Sequence, residues 1–270
     1  MTIKGSLKQI LVIRADEVRH RALSTILSGC GFLVSEIVVP KPQMLTNMSR
    51  RVSHHFSARA QFERDYFRYL DLDSKTFTCN RMLTSDINDS RSLLFADEVN
   101  PDIIITFGCP ILQKEWICKF PDLILGIHLG LSPYYRGSGT NFFPFVNGEL
   151  GAVGYTLMNL DEGIDTGAIF HQRYADIVLG DSIHTIGTRL MQNMFDDIVQ
   201  ILHSFDNLNG AIQQNLTIQS RHYRLKHFTD DAFYLAYKNL GRGAIESFIE
   251  NSDYERAKFP LIRQVKFCID

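Results

Sequence analysis

The stretch from Gln9 to Pro40, QILVIRADEVRHRALSTILSGCGFLVSEIVVP, alternates two kinds of pattern. Gln9-Ile-Leu-Val-Ile-Arg14 is a short continuous apolar run, as a strand buried on both faces should be. Arg19 to Ser28 follows with Leu23, Ile26 and Leu27 at helical spacing, and Gly29 and Gly31 end it. Leu33 to Val39 reads as a second strand, stopped by Pro40. Strand, helix, strand in that order predicts an α/β fold with a mostly parallel, Rossmann-like sheet. The turn after the first strand is Arg14-Ala-Asp-Glu-Val-Arg-His20. It has none of the glycines of a dinucleotide or P-loop phosphate cradle.

Outward from that unit, His54 to Leu70 predicts a helix with Phe56, Ala60, Tyr66, Phe67 and Leu70 as its buried stripe. Asp102–Phe107 and Leu123–His128 read as core strands, the first ending in Gly108-Cys-Pro110. Glycines and Pro133 break the chain into a loop up to about Gly139. Val153–Leu157 and Ala168–Gln172 are further strands around the turn Asp161-Glu-Gly-Ile-Asp-Thr-Gly167. Asp181 or Ser182 is placed to cap a long helix through about Leu202. Asn207-Leu-Asn-Gly210 reads as a linker, and the aromatic-rich remainder shows no α/β alternation. The expected division is 1–205 as the catalytic domain and 206–270 as a small C-terminal subdomain.

The 270 residues are 45% apolar, enough for a full core, and the net charge of −2 gives no basic field for nucleic acid. Cys30, Cys79, Cys109, Cys118 and Cys268 are odd in number and scattered, without a CxxC pair. That argues against a disulfide framework or structural zinc, and for a cytoplasmic protein without a metal. The run Ile10 to Ile13 is too short for a signal peptide or a membrane span.

Two segments gather polar and glycine residues at strand ends: Gly126-Ile-His-Leu-Gly-Leu-Ser-Pro-Tyr-Tyr-Arg-Gly137 and Gly154 to Gly167. His128 stands where open α/β sheets bind ligands, and Asp165 lies in a tight turn. A His with an Asp partner is a common general-base arrangement, because the carboxylate fixes the tautomer and stabilises the cationic ring.

His128, Pro133, Tyr135-Arg136-Gly137 and Asp161-Glu-Gly-Ile-Asp165-Thr-Gly167, in this order, resemble the signature of the formyltransferases that use 10-formyltetrahydrofolate. The resemblance covers roughly residues 85 to 175, and the N-terminal unit more loosely. It implies a formyltransferase core and His128 and Asp165 as the catalytic pair. It also implies a folate co-substrate held by Phe107, Gly108, Pro110, Ile111 and Leu112 and by the turn with Leu160, Asp161, Gly163 and Ile164. Backbone groups would make the polar contacts, with Ile111 and Leu112 as apolar walls. The loop from Pro133 would return Arg136 to the site.

The family carries an Asn two residues before the His, as a donor to the developing oxyanion; here that position is Gly126. Loss of one such donor costs about 100- to 1000-fold in rate, roughly 3–4 kcal/mol. Three readings follow. Asn141 replaces it, the enzyme is slow, or the protein has lost transfer and only binds.

The branch of the resemblance that acts on methionyl-tRNA adds a C-terminal barrel longer than the segment after Leu202. The glycinamide ribonucleotide branch lacks such a tail. The remaining branch, sugar N-formyltransferases acting on amino sugars that are often nucleotide-linked, for surface polysaccharides, fits the length. The tail Arg221-His-Tyr-Arg-Leu-Lys-His-Phe-Thr229 is similar to one in such proteins, where it helps a homodimer to form.

Elsewhere the expectations are structural. His54-His55 reads as a helix surface or N-terminus. Arg50, Arg51, Arg59, Arg64 and Arg68, interleaved with Glu63 and Asp65, read as a solvated salt-bridged face. His184 reads as structural, and Cys109 has no base beside it to make it a nucleophile.

Overall fold

The computed structural model describes residues 9–40, 49–70, 80–205 and 208–263. Cys79, Cys268 and the start of the expected linker at Asn207 lie outside the described residues, as do positions 206–207 at the expected domain division. Among the described residues, seven strands form one sheet: β1 (Gln9–Ala15), β2 (Leu33–Val39), β3 (Arg81–Leu83), β4 (Ile103–Phe107), β5 (Ile124–His128), β7 (Gly154–Asn159) and β8 (Ile169–Tyr174). Their order is β3-β2-β1-β4-β5-β7-β8, and β6 (Tyr135–Gly137) pairs separately with β9 (Arg221–Tyr223). The first five strands are parallel, and β7 and β8 continue antiparallel. This is the expected α/β architecture.

Successive residues of β1 point to opposite faces and build two cores. Ile10 and Val12 join the larger one, with α1 (Val18–Gly29), Phe67 beside α2 (Arg50–Tyr66), and α6 (Ile183–His203). Leu11 and Ile13 join the smaller one, with α3 (Ser90–Val99) and Trp116 and Phe120 around α4 (Lys114–Lys119). Trp116 is fully buried, and its indole N–H donates to the Ile87 carbonyl at 3.0 Å, so burial leaves no orphan donor.

The long helix begins as expected. Ser182 caps α6 by accepting from Thr185 N–H at 3.1 Å, and the Thr185 hydroxyl accepts from Ser182 N–H at 2.8 Å. This reciprocal box satisfies two first-turn donors.

The stripe expected on α2 requires correction. Phe67 is fully buried, but Phe56, Ala60 and Leu70 are only half-buried and Tyr66 is 40% exposed. The residues of α2 that face inward are Val52, His55 and Glu63. Two of these are polar, so hydrophobic periodicity could not mark the buried face.

After α6 the chain returns to the same core. Phe233 in α7 (Asp230–Leu240) and Phe248 in α8 (Ala244–Glu250) belong to the larger cluster. Tyr223 of β9 stacks on Phe143 with ring centroids 3.7 Å apart.

The strand order reverses between β1 and β4. Such a switch point leaves a crevice beyond the carboxyl ends of the strands, because the connections on either side diverge to opposite faces. Glu17, Phe107, Gly108 and His128 all lie at that end, after β1, β4 and β5.

Candidate active site

His128 is the last residue of β5, paired with Thr156 of β7 and 7% exposed. Its Nε2 lies 2.9 Å from the Tyr135 carbonyl, which can only accept, so this nitrogen carries a proton. Nδ1 lies 3.4 Å from Asp165 Oδ1. The sequence-derived pair is therefore assembled.

Local chemistry explains how. The Asp161 carboxylate accepts from Gly163 N–H at 3.0 Å and from the Thr166 hydroxyl at 2.7 Å, which closes the turn on itself. That turn puts Asp165 at φ 53°, a left-handed conformation that Asp tolerates better than most residues. Its Oδ2 then accepts from Gly137 N–H at 2.7 Å. Gly137 has φ 89°, and a Cβ there would run into the Tyr223 carbonyl of β9, so glycine is required where β6 meets the tail.

The loop after His128 is fixed from below. The Thr156 hydroxyl donates to the Gly130 carbonyl at 2.7 Å and accepts from Ser132 N–H at 3.0 Å. Gln172 Nε2 donates to the Ser132 carbonyl at 2.6 Å.

One buried residue behind the pair carried no signal in the sequence. Gln214 Nε2 donates to the carbonyls of Asp165, at 3.0 Å, and Gly167, at 2.7 Å. Its Oε1 accepts from Arg136 Nη2 at 2.8 Å. Arg136 thus returns to the site, but behind Asp165 rather than on the cavity wall. Burial pushes its guanidinium down from the ordinary value, with Asp165 and Asp161 opposing. Gln214 sits in an aperiodic stretch, and only its contacts reveal it.

Beside His128 opens a cavity of about 360 Å³. Its lining includes the aromatic rings of Phe56, Phe142, Phe145 and Phe228. It also includes an ionic ring, whose Arg59 lies 5.0 Å over the Phe56 ring. Arg19 Nη2 meets Glu17 at 2.7 Å and Arg19 Nη1 meets Glu63 at 3.4 Å. Arg59 meets Glu17 and Glu63, each at 3.5 Å. Burial pushes the Arg59 guanidinium down to about 10, with Arg19 adding to the fall, and leaves it charged at neutral pH. Burial also acts against charge on Arg19, but Glu63 and Glu17 together outweigh it and its pKa is raised.

Three histidines of this cavity, His20, His55 and His184, are uncharged at neutral pH. Burial, reinforced by the charge of Arg19, holds His20 well below the ordinary range. Burial and the neighbouring His184 bring His55 to about 3, and burial with the charge of Arg59 brings His184 to about 4. His55 Nδ1 is 3.0 Å from the Tyr237 hydroxyl, and its ring lies 4.7 Å from that of His184.

These facts correct two expectations. His55 is 4% exposed, not on a helix surface, although His54 is exposed. Arg59 belongs to a buried ionic ring, whereas Arg50, Arg51, Arg64 and Arg68 are exposed as expected. The reason is α6 and α7, which cover one face of α2; sequence within α2 cannot announce that cover. His184 also lines the cavity.

Of the residues assigned to folate, Phe107 and Gly108 line this cavity. A Cβ on Gly108 would come within 2.5 Å of the His20 ring, so the chain passes too close for a side chain. Pro110, Ile111, Asp161, Gly163 and Ile164 form an exposed rim on two loops, joined across by Lys114 and Glu162 at 3.8 Å. Ile111 and Ile164 are 64% and 49% exposed. Leu112 is buried in the smaller core and Leu160 packs against it. Cys109 also packs there, and burial pushes its thiol up to about 12, far from a thiolate at neutral pH.

At Gly126 the structure is explicit. An added Cβ would fall within Leu160 Cδ2 and lie 3.3 Å from Leu160 Cγ, so Leu160 occupies the volume of a side chain at this position. Asn141 lines the same cavity as His128. Its Oδ1 accepts from Gly154 N–H at 3.4 Å, which leaves Nδ2 to donate to a ligand.

Among the described residues, no group of three or more His, Cys, Asp or Glu could hold a metal ion, and no helix is long and apolar enough to cross a membrane.

Comparison with known proteins gives three findings. A family model described as "Formyl transferase" matches residues 55–202. Methionyl-tRNA formyltransferase of Ehrlichia ruminantium is 29% identical over 117 residues, 43% of this chain and 38% of the relative. That of Synechocystis is 37% identical over 105 residues, 38% of this chain and 31% of the relative. The alignments thus span less than two fifths of these relatives' length. Among solved structures, phosphoribosylglycinamide formyltransferase from Anaplasma phagocytophilum matches with a TM-score of 0.54 at 15% identity, covering 82% of this chain and 99% of that one. A Mycobacterium tuberculosis protein described as a likely sugar N-formyltransferase matches with a TM-score of 0.53 at 17% identity, covering 86% and 87%. These two likenesses establish a shared fold.

Proposed function

This chain belongs to the formyl transferase family, and we propose on that premise that it moves a formyl group from 10-formyltetrahydrofolate to the amine of an amino sugar. The observation that carries the reading is the His128–Asp165 pair beside a cavity that Asn141 also lines. The amine nitrogen attacks the formyl carbon and a C–N bond forms. Asn141 Nδ2 donates to the oxygen that gains charge. The proton leaving the amine passes to the His128–Asp165 pair. The resulting imidazolium finds an acceptor at each nitrogen, the Tyr135 carbonyl at Nε2 and Asp165 at Nδ1. The same proton then goes to the departing folate nitrogen as its bond to the formyl carbon breaks, so the protein ends unchanged.

The exposed rim supports the folate assignment. Ile111 and Ile164 present apolar surface, and Gly108 and Gly163 leave backbone groups open to a flat heterocycle. The tail packs on the core as β9 and α7. A homodimer and a cytoplasmic location complete the proposal.

The test is an assay with 10-formyltetrahydrofolate and a panel of amino sugars, free and nucleotide-linked, with glycinamide ribonucleotide and methionyl-tRNA alongside. Turnover on an amino sugar, lowered about 100- to 10,000-fold by His128→Ala, is expected. Inertness towards every amino sugar refutes the proposal. A second reading, binding without turnover, is favoured by the Leu160 side chain at Gly126. It predicts folate binding by calorimetry with no product from any acceptor.

A further inference from the structure

The cavity beside His128 has its charges already paired. Glu17 and Glu63 alternate with Arg19 and Arg59, and each carboxylate contacts both guanidiniums. Among the described residues this ring sums to zero, and His20, His55 and His184 beside it add no charge at neutral pH.

Its position matters as much as its sum. Glu17 is the N-cap residue of α1, and its side chain caps no helix N–H. A helix start at a sheet switch point is where folds of this architecture receive phosphate, because unpaired N–H groups and the helix dipole converge there. Here the residue at that helix start is itself acidic, and its carboxylate meets Arg19 and Arg59. Both arginines that could reach an incoming anion face glutamates instead. An anion entering would have to part a buried ion pair and lie beside two carboxylates, which is costly in a site of low dielectric.

Aromatic rings also line the cavity, Phe56, Phe142, Phe145 and Phe228, and the Arg59 guanidinium lies 5.0 Å over the Phe56 ring. Such a surface takes an apolar face of a ligand, while paired ions and neutral imidazoles exchange hydrogen bonds with hydroxyl groups. Accepting the formyl-transfer reading above, we infer that the acceptor presents to this cavity an amine-bearing, hydroxylated body without phosphate or carboxylate, and that any phosphate it carries stays outside. That places unphosphorylated sugar rings inside and excludes a ribose phosphate from the same space.

Calorimetry without the folate donor tests this directly. The probes are methyl glycosides of positional isomers of aminohexose, inorganic phosphate and glycinamide ribonucleotide. At least one glycoside is expected to bind, with an affinity that 10 mM phosphate leaves unchanged. Competition by phosphate, or binding of the ribonucleotide but of no glycoside, or of no probe at all, overturns the inference.

A second arm uses the Glu17→Gln, Glu63→Gln double variant. With its arginines released, it should bind phosphate at least tenfold more tightly than the unaltered protein. A variant that melts normally and gains no phosphate affinity also overturns the inference. The arms separate the two claims. Glycoside binding without formylation refutes the transfer reading and leaves this one standing; formylation that phosphate inhibits competitively does the reverse.

Discussion

The carboxyl end of the sheet carries two surfaces of opposite kind, one on either side of His128. The cavity is concave, built from side chains of α1, α2, α5 (Phe143–Asn147) and α6 together with the loops around them, and its arginines are paired with glutamates. The rim at Pro110, Ile111 and Asp161–Ile164 is open, built from two local loops, and offers backbone and exposed isoleucine. A concave site lined by packed and paired side chains selects by shape and charge. An exposed rim selects by contact area. Under the formyl-transfer proposal, the difference assigns acceptor discrimination to the cavity and donor capture to the rim.

The largest effect that would sharpen this contrast is expected at Asn141. If its amide is the oxyanion donor, Asn141→Ala lowers kcat by about 100- to 1000-fold with folate affinity unchanged. A mutant that loses folate binding with kcat intact would move Asn141 to the donor side and blur the division.

Next comes pH. Folded His55 and His184 have pKa values of about 3 and about 4, against the ordinary 6.5 of an unfolded chain. Between these limits the unfolded state binds more protons, so stability is full above pH 6.5 and falls as pH drops towards 4. The slope is about 1.4 kcal/mol per pH unit for each histidine. Melting scans from pH 7 to 4 should show it, and His55→Phe should reduce it. An unchanged slope in that variant would mean that protonated His55 is hydrated in the folded state.

Gly126→Asn is expected to destabilise by about 1–3 kcal/mol, because its side chain must displace Leu160 from a packed site. Chemical denaturation measures this, and no gain in kcat should accompany it. A large gain would show that Asn141 does not fill the donor role.

The smallest effect belongs to the rim. Ile164→Ala should leave the melting temperature nearly unchanged, since the side chain is 49% exposed. It should weaken folate binding about fivefold, the equivalent of about 1 kcal/mol of lost apolar contact. Unaltered folate affinity would detach the rim from donor capture.

The contrast between the two surfaces also divides what could be read in advance. Strands β1, β2, β4 and β5 were legible because apolar runs between turn residues admit few other structures. The Asp161–Gly167 turn was legible because Asx turns and glycines act over a few residues. His128 and Asp165 were therefore visible, and the structure sets them 3.4 Å apart. The buried face of α2 was not legible: His55 and Glu63 point inward only because α6 and α7, distant in sequence, cover them.

By itself, then, the sequence determined the sheet, the proposed pair His128 and Asp165 and the glycines on which the loops depend, since each follows from local propensity or short-range hydrogen bonding. Only the tertiary structure decided that Leu160 fills the space at Gly126, that Gln214 clamps the Asp165 turn, and that Arg59 lies in a buried ring with Glu17. Each of those joins residues far apart along the chain, and a polar side chain carries no mark of its partner until the fold brings the two together.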